Sequence, residues 1–172
     1  MKILTLNTHS WIDGKTKTHL RILAKQIITE NYDIICLQEV NQLVESALTV
    51  SPERFCPVTK QTPIHVDNFA LLLVQQLAEL GQKYYWSWTY SHVGYDLYQE
   101  GSAILAKEPL TSQSILVSQS SDPLDYHTRR ILLSQTTYKN QQIIIGSCHF
   151  SWWQDQNLGF AAEWQKLTNV LD

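Results

Sequence analysis

Hydrophobic positions at the start of the chain follow two different periods. Residues 2–7 alternate apolar and polar side chains, which is typical of a strand. Residues 18–30 place apolar side chains at helical spacing, with Lys and Arg on the other face. Residues 33–38 contain the continuous apolar run Ile34–Leu37 and predict a buried strand. This order predicts two parallel strands joined by a helical crossover.

The middle of the chain is predicted to hold two helices separated by a long loop. Residues 41–50 are expected to form a short helix that leads into the loop. Three prolines lie there: Pro52, Pro57 and Pro63. Residues 68–80 place Ala, Leu and Val on one helical face. Asp67 is the expected N-cap of this helix, and Gly81 is expected to end it.

The second half of the chain has mainly the period of strands. Residues 84–91 are aromatic and typical of a strand, and residues 92–101 are expected to form a loop. Further strands are predicted over residues 102–107, 113–117, 130–138 and 142–149. Residues 157–171 predict a final amphipathic helix. Parallel units followed by hairpins are typical of an α/β sandwich.

Composition limits the class of protein. The 172 residues are 44% hydrophobic, which predicts one globular domain over residues 1–172. The net charge of −3 argues against a broad basic surface for nucleic acid. Three cysteines, an odd number, predict free thiols in a reducing compartment, and we expect a cytoplasmic protein. We find neither a secretion signal nor a transmembrane segment in the sequence.

Three predicted strands end in polar residues that are suited to phosphate chemistry. Asn7, Glu39 and His149 each follow an apolar run. Any one of them has an ordinary alternative, because every strand must end in some residue. Glu39 offers the carboxylate that Mg²⁺ prefers, and His149 has a suitable reference pKa for general acid–base catalysis. Asn7 would donate a hydrogen bond to a phosphate oxygen or orient a ligand.

Five segments resemble the endonuclease/exonuclease/phosphatase superfamily, which includes deoxyribonuclease I. They read LTLNTHSW, DIICLQEVNQ, YDLYQEGSAILAKEPL, DYHTRRILL and IIIGSCHFSWW, and they run in order through the chain. The resemblance implies an α/β fold, a four-layer sandwich of two β-sheets flanked by helices. It also implies a divalent-metal-dependent phosphoester hydrolase, most readily a phosphodiesterase, that uses Mg²⁺ or Mn²⁺.

The resemblance also assigns roles to particular residues. Glu39 would be the metal ligand, with Asn7 beside the metal and the phosphate, and His149 would be the catalytic histidine. Arg130 matches an arginine that the family places near the substrate phosphate, and Arg129 is the other candidate. The alternative for the arginine pair is a solvated position beside a strand.

Substrate-binding roles are implied less directly for four further residues. Tyr98 and Glu100 lie at the EGSAIL segment, where some family members place a residue that contacts the phosphate or supports one that does; the alternative is that they shape an ordinary loop. Trp152 and Trp153 follow the catalytic histidine. They would line a substrate cleft, or they would pack beneath the final helix.

The chain departs from the family pattern in its last part. It contains no Gly-Asp-x-Asn segment and no Ser-Asp-His segment, both of which the family has after the catalytic histidine. We therefore expect the N-terminal two-thirds of such a domain, inactive alone and able to self-associate through the apolar face of residues 157–171. A non-catalytic fragment that keeps the fold for binding is the second hypothesis, and a carbohydrate-binding module is the third. A small phosphodiester, a phospholipid head group and nucleic acid all stay open as substrates.

Overall fold

The computed structural model describes residues 1–12, 14–152 and 159–171. Its helices and strands follow in this order: β1 (Ile3–Asn7), α1 (Thr16–Glu30), β2 (Ile34–Leu43), α2 (Phe69–Glu79), β3 (Tyr85–Gly94), β4 (Tyr98–Ala106), β5 (Thr111–Leu116), β6 (Arg130–Tyr138), β7 (Gln141–Ser147) and α3 (Phe160–Leu171). The start of the predicted final helix, residues 157–158, lies outside the described residues.

The strands form two sheets that pack face to face. The first sheet has the order β1-β2-β4-β3, and the second has the order β5-β6-β7. β1 and β2 are parallel, as the strand–helix–strand pattern predicts, and the other described pairs are antiparallel. Between the sheets, Ile34 and Cys36 of β2 belong to one apolar cluster with Ile104 of β4 and Leu132 of β6. This cluster joins the two sheets into one core.

Helices cover the outer faces of both sheets. Buried residues of α1 and α2, such as Ile27 and Leu73, share a cluster with Trp86 and Trp88 of the first sheet. Leu167 of α3 packs with Ile131 of the second sheet. The order helix, sheet, sheet, helix gives the four layers that the resemblance implies, so this prediction of the fold is confirmed.

Two predicted segments in the first sheet are wrong. Residues 41–50 do not form a helix, because β2 continues to Leu43 and turns follow it. The expected loop over residues 92–101 is a tight hairpin instead, because β3 extends to Gly94 and β4 begins at Tyr98. In both places, pairing with a neighbouring strand extends a strand through polar residues that give no apolar signal.

The predicted cap of α2 is also wrong by one residue. Asn68 is the N-cap, and its side-chain oxygen accepts hydrogen bonds from the backbone N–H groups of Ala70 and Leu71. The carboxylate of Asp67 instead accepts a hydrogen bond from the backbone N–H of Leu43 at 2.9 Å. Asp67 therefore fixes the end of β2 and does not cap the helix.

The apolar face of α3 is only partly covered. Leu167 is buried, whereas Phe160, Trp164 and Leu171 are each about half exposed. Phe160 and Trp164 make ring contacts with Phe150, which follows β7. Self-association through this face stays a prediction. None of the helices in the described residues has the length and apolar character that a membrane span requires.

Candidate active site

Glu39 lies at a bulge in β2. The register between β2 and β4 shifts between Leu37 and Val40, and Glu39 has a φ of +50°. A bulge redirects side chains, and a left-handed conformation costs a non-glycine residue on the order of 1–3 kcal/mol. The carbonyl oxygen of Glu39 accepts hydrogen bonds from the hydroxyls of Thr8 and Ser10, each at 2.8 Å. The loop after β1 therefore holds Glu39 in this conformation.

Two side chains, one at the end of β1 and one in the loop after it, reach the carboxylate of Glu39. Asn7 Nδ2 donates a hydrogen bond to Glu39 Oε1 at 2.7 Å, and His9 Nδ1 lies 3.0 Å from Glu39 Oε2. Burial alone would raise the pKa of Glu39. The hydrogen bonds from Asn7 and His9 and the charge of His149 outweigh this effect, so the pKa lies below its ordinary value. Glu39 is therefore a carboxylate at neutral pH.

A buried polar contact between the sheets brings the end of β7 to the same place. The hydroxyl of Ser147 donates to the carbonyl oxygen of Leu37 at 2.8 Å and accepts from Gln38 Nε2 at 3.0 Å. Ser147 is fully buried. His149 follows two residues later, and its Nε2 lies 3.7 Å from Glu39 Oε1. The packing of the two sheets thus sets the position of His149 relative to Glu39.

Glu100 contacts the other side of the His149 ring. Its Oε1 lies 4.0 Å from His149 Nδ1, and its side chain is buried in β4. Burial, assisted by the negative charge of Glu39, raises the pKa of Glu100 to about 7. Burial and the nearby Arg129 lower the pKa of His149, and the charge of Glu39 partly opposes them. His149 is therefore mainly neutral at pH 7 and able to accept a proton.

Arg129 is a buried cation near Glu100 and His149. Its Nη1 donates to the carbonyl oxygen of Tyr126 at 2.7 Å and lies 3.4 Å from His92 Nδ1. Burial and the charge of Arg129 lower the pKa of His92 to about 4. His92 Nε2 in turn lies 3.6 Å from Glu100 Oε1. Arg129, His92, Glu100 and His149 form a continuous group that ends at Glu39.

Arg130 lies in a different environment from Arg129. Neighbouring residues of a strand project to opposite faces. Arg129 is buried beside His92, whereas the half-buried Arg130 lines a separate cavity with Lys60 and Ser91. Neither Glu39 nor His149 lines that cavity. Of the two arginines, Arg129 is the one that the structure places beside the group described above.

Three of the four predicted substrate-binding residues have different positions. Glu100 belongs to the group, as described above. Tyr98 begins β4 two residues earlier, and within the described residues no hydrogen bond or ring contact involves its side chain. Trp152 is 85% exposed. Trp153 lies outside the described residues.

The sequence analysis missed two histidines of this group. His9 contacts Glu39 directly, and His92 lies between Arg129 and Glu100. His9 follows Asn7 by two residues, so its place in the loop after a site strand was a usable signal. His92 had no such signal, because the alternation of β3 is interrupted by a register shift between Tyr90 and His92.

The donor set is compatible with a hard divalent cation. Mg²⁺ is commonly bound through one or two carboxylates together with waters and substrate phosphates. Glu39 supplies one ionised carboxylate, and the neighbouring Asn7 supplies an amide. Across the residues that the structure describes, no group of three or more His, Cys, Asp or Glu side chains is arranged to hold a metal ion. Glu39 and Asn7 are therefore the residues whose chemistry fits such a cation.

Known structures share this architecture. An endonuclease/exonuclease/phosphatase family protein from Leptotrichia buccalis superposes with a TM-score of 0.86 and 27% identity, over 99% of this chain and 62% of its own. D. rerio TDP2, complexed with a single strand DNA product, has a TM-score of 0.56 and 17% identity, over 98% of this chain and 52% of its own. A Beutenbergia cavernae endonuclease/exonuclease/phosphatase has a TM-score of 0.56 and 15% identity, over 96% of this chain and 41% of its own.

The chain thus spans about two-fifths to three-fifths of the length of these three proteins. No curated protein matches the sequence. The profile of the endonuclease/exonuclease/phosphatase family matches residues 12–172, which is most of the chain. Together with the four-layer fold, this match shows that the chain belongs to the endonuclease/exonuclease/phosphatase family.

Proposed function

We propose that the protein is a divalent-metal-dependent phosphoester hydrolase that acts most readily on phosphodiesters. One observation carries the proposal. Asn7 of β1, Glu39 of β2 and His149 beyond β7 meet at one carboxylate, with distances of 2.7 Å and 3.7 Å to Glu39 Oε1. Two strands of the first sheet and the segment that follows β7 of the second sheet therefore converge there. A small phosphodiester, a phospholipid head group and nucleic acid remain the substrate classes of the proposal.

Glu39 would hold the metal ion, with Asn7 beside it. When bound, Mg²⁺ or Mn²⁺ supplies positive charge that stabilises the charge developing on the phosphoryl oxygens. Asn7 Nδ2 already orients Glu39 through its hydrogen bond. His9 contacts the other oxygen of the carboxylate and keeps it in the same orientation. The loop after β1 therefore fixes the ligand before a cation arrives.

His149 is the proposed general acid–base group. Its lowered pKa keeps the imidazole mainly neutral at pH 7, so the ring is able to accept a proton from a water beside the phosphate. Glu100 Oε1 lies 4.0 Å from Nδ1, on the other side of the ring. Arg129 supplies a buried positive charge that favours an anionic substrate.

Arg130, Tyr98 and Trp152 have less support in the geometry. Arg130 lines a separate cavity, and Tyr98 has no described contact with the group. Trp152 is exposed three residues after His149, where it would contact the part of a substrate that extends from the site. We also propose that residues 1–172 belong to one domain and that the protein acts in the cytoplasm.

Replacement of His149 tests the proposal. In the full-length protein, His149→Ala should lower kcat for bis(p-nitrophenyl) phosphate by about a hundredfold, the scale expected for a general acid–base group. The matched control is His19→Ala, which alters an exposed histidine of α1. Melting temperatures should stay similar in all three proteins. Full activity in the His149 variant would refute its role, and so would a loss of activity that merely follows unfolding.

Binding without turnover is the second candidate function. One observation favours it, namely that the described residues form no cluster of three or more metal-ligating side chains. Both functions predict binding of phosphate compounds, but only the first predicts metal-dependent release of p-nitrophenol. The same assay therefore separates them.

A further inference from the structure

A second polar cavity lies between the edge strands of the two sheets. Its volume is about 520 Å³, and the chain segment 58–62 forms one wall. Thr89 and Ser91 of β3 line it from the first sheet, and Ser114 of β5 and Arg130 of β6 line it from the second. The cavity is therefore built from both sheets and from a loop that neither sheet contains.

The charged side chains that line the cavity are positive. Arg130 and Lys60 both line it, and no Asp or Glu does so. Within the described residues, no hydrogen bond or ion pair involves the guanidinium of Arg130 or the ammonium of Lys60. Asp122 directly follows the lining residue Ser121, and its charge acts on Tyr90, which also lines the cavity. Two cations that face the same space without a partner favour an anionic ligand.

The loop that carries Lys60 has a defined shape. Gln61 Oε1 accepts a hydrogen bond from the backbone N–H of Val58 at 3.0 Å, and Gln61 Nε2 donates to the carbonyl oxygen of Thr62 at 2.9 Å. Lys60 itself has a φ of +59°, which marks the turn. The ammonium is thus presented from a turn that its neighbour Gln61 holds together.

Hydroxyl groups complete the lining. Thr89 and Ser114 share a hydrogen bond across the two sheets. The hydroxyl oxygen of Ser91 accepts a hydrogen bond from the backbone N–H of Arg130, so its own proton is available to a ligand. A guanidinium beside hydroxyl donors is the chemistry that binds phosphate, because Arg offers two parallel N–H groups to two phosphate oxygens.

Two lining residues of this cavity are the chain neighbours of two residues of the candidate active site. Arg130 follows Arg129 directly, and Ser91 directly precedes His92. We propose that the Arg130 cavity is a subsite for a second phosphate group of the substrate. The proposal rests on the function proposed above, since it assigns the first phosphate to Glu39 and His149.

Direct binding of a phosphate anion is the first test. Titration of the full-length protein with inorganic pyrophosphate, without divalent metal, should give a Kd that Arg130→Gln raises by about tenfold or more and Lys60→Gln raises less. Lys25→Gln is the matched control, because it removes the same charge from an exposed position on α1. Equal Kd values for the Arg130 and Lys25 variants would overturn the proposal.

Substrate selectivity is the second test. The ratio of kcat/KM for 5′-phosphorylated over unphosphorylated thymidine dinucleotide should exceed one in the wild type and approach one in Arg130→Gln. The same ratio for glycerophosphoinositol with and without a ring phosphate shows whether the second phosphate comes from a nucleotide chain or from a head group. A ratio that Arg130→Gln leaves unchanged for both pairs contradicts the subsite. If no substrate is turned over, the hydrolase function fails and the pyrophosphate titration alone decides the subsite.

Discussion

Glu163 is expected to hold the chain that carries His149. It lies in the first turn of α3 and is 1% exposed. Its Oε2 accepts a hydrogen bond from the backbone N–H of Ser151 at 2.8 Å, and its Oε1 accepts the Ser151 hydroxyl. Ser151 follows His149 by two residues. The negative charge of Glu163 also acts on Arg129 and on His149. Glu163 is thus a positioning residue for the site.

The size of the effect follows from these two bonds. A hydrogen bond to a charged group contributes about 1.5–3 kcal/mol, and a buried donor left without an acceptor costs about 1–3 kcal/mol. Glu163→Ala removes both acceptors and should lower the free energy of unfolding by about 3–5 kcal/mol. For a chain of this size, that is a drop in Tm of roughly 6–20 °C. Glu163→Gln keeps one acceptor and should cost about half as much.

Thermal unfolding followed by circular dichroism measures the change in Tm, with the exposed Gln165→Ala of the same helix as control. A positioning role also predicts a lower kcat for Glu163→Gln at a temperature where the variant is fully folded. Removal of a merely structural contact would leave kcat unchanged there. A Tm for Glu163→Ala within about 2 °C of the wild type would refute the reasoning.

Two further predictions concern the core. A Cβ at Gly101 would lie 1.9 Å from the carbonyl oxygen of Thr89, so Gly101→Ala should lower the free energy of unfolding in urea by about 3 kcal/mol or more. Gly146→Ala should cost far less, because the nearest contact of its Cβ is the Leu133 side chain at 3.1 Å. Similar costs for the two variants would contradict the strand pairing. Burial raises the pKa of Cys36 to about 12, so iodoacetamide at pH 8 should label its thiol only after unfolding. Peptide mass spectrometry measures the labelling, and rapid labelling of the native protein would contradict the packing.

Much of the fold is encoded in local patterns. The helical spacing of residues 18–30 and the apolar run Ile34–Leu37 predict α1, β2 and their parallel arrangement, and the structure confirms them. The extension of β2 to Leu43 is not readable in this way. Asn41 and Gln42 are fully buried there, and their side-chain N–H groups donate to Ser10 and Gln99, which are distant in sequence. A polar residue in a buried strand gives no periodic signal.

The candidate site was also predictable only in part from local sequence. Asn7, Glu39 and His149 were predicted because each ends an apolar run, and the structure brings them together. Their catalytic roles stay predictions. The left-handed conformation of Glu39 depends on hydroxyls from the loop after β1, so the sequence of β2 alone does not reveal it. The contact of Glu163 with the chain after His149 depends on α3 packing against the second sheet.

The central claim is that the carboxylate of Glu39 holds a divalent metal ion used in phosphoester hydrolysis. Isothermal titration of the full-length protein with Mn²⁺ and Mg²⁺ tests it most directly. Glu39→Gln keeps the shape of the side chain and removes its charge, so it should weaken metal binding by about tenfold or more. Glu45→Gln, at an exposed position beyond β2, should bind the metal as the wild type does. Equal metal affinity in the wild type and in Glu39→Gln would contradict the account.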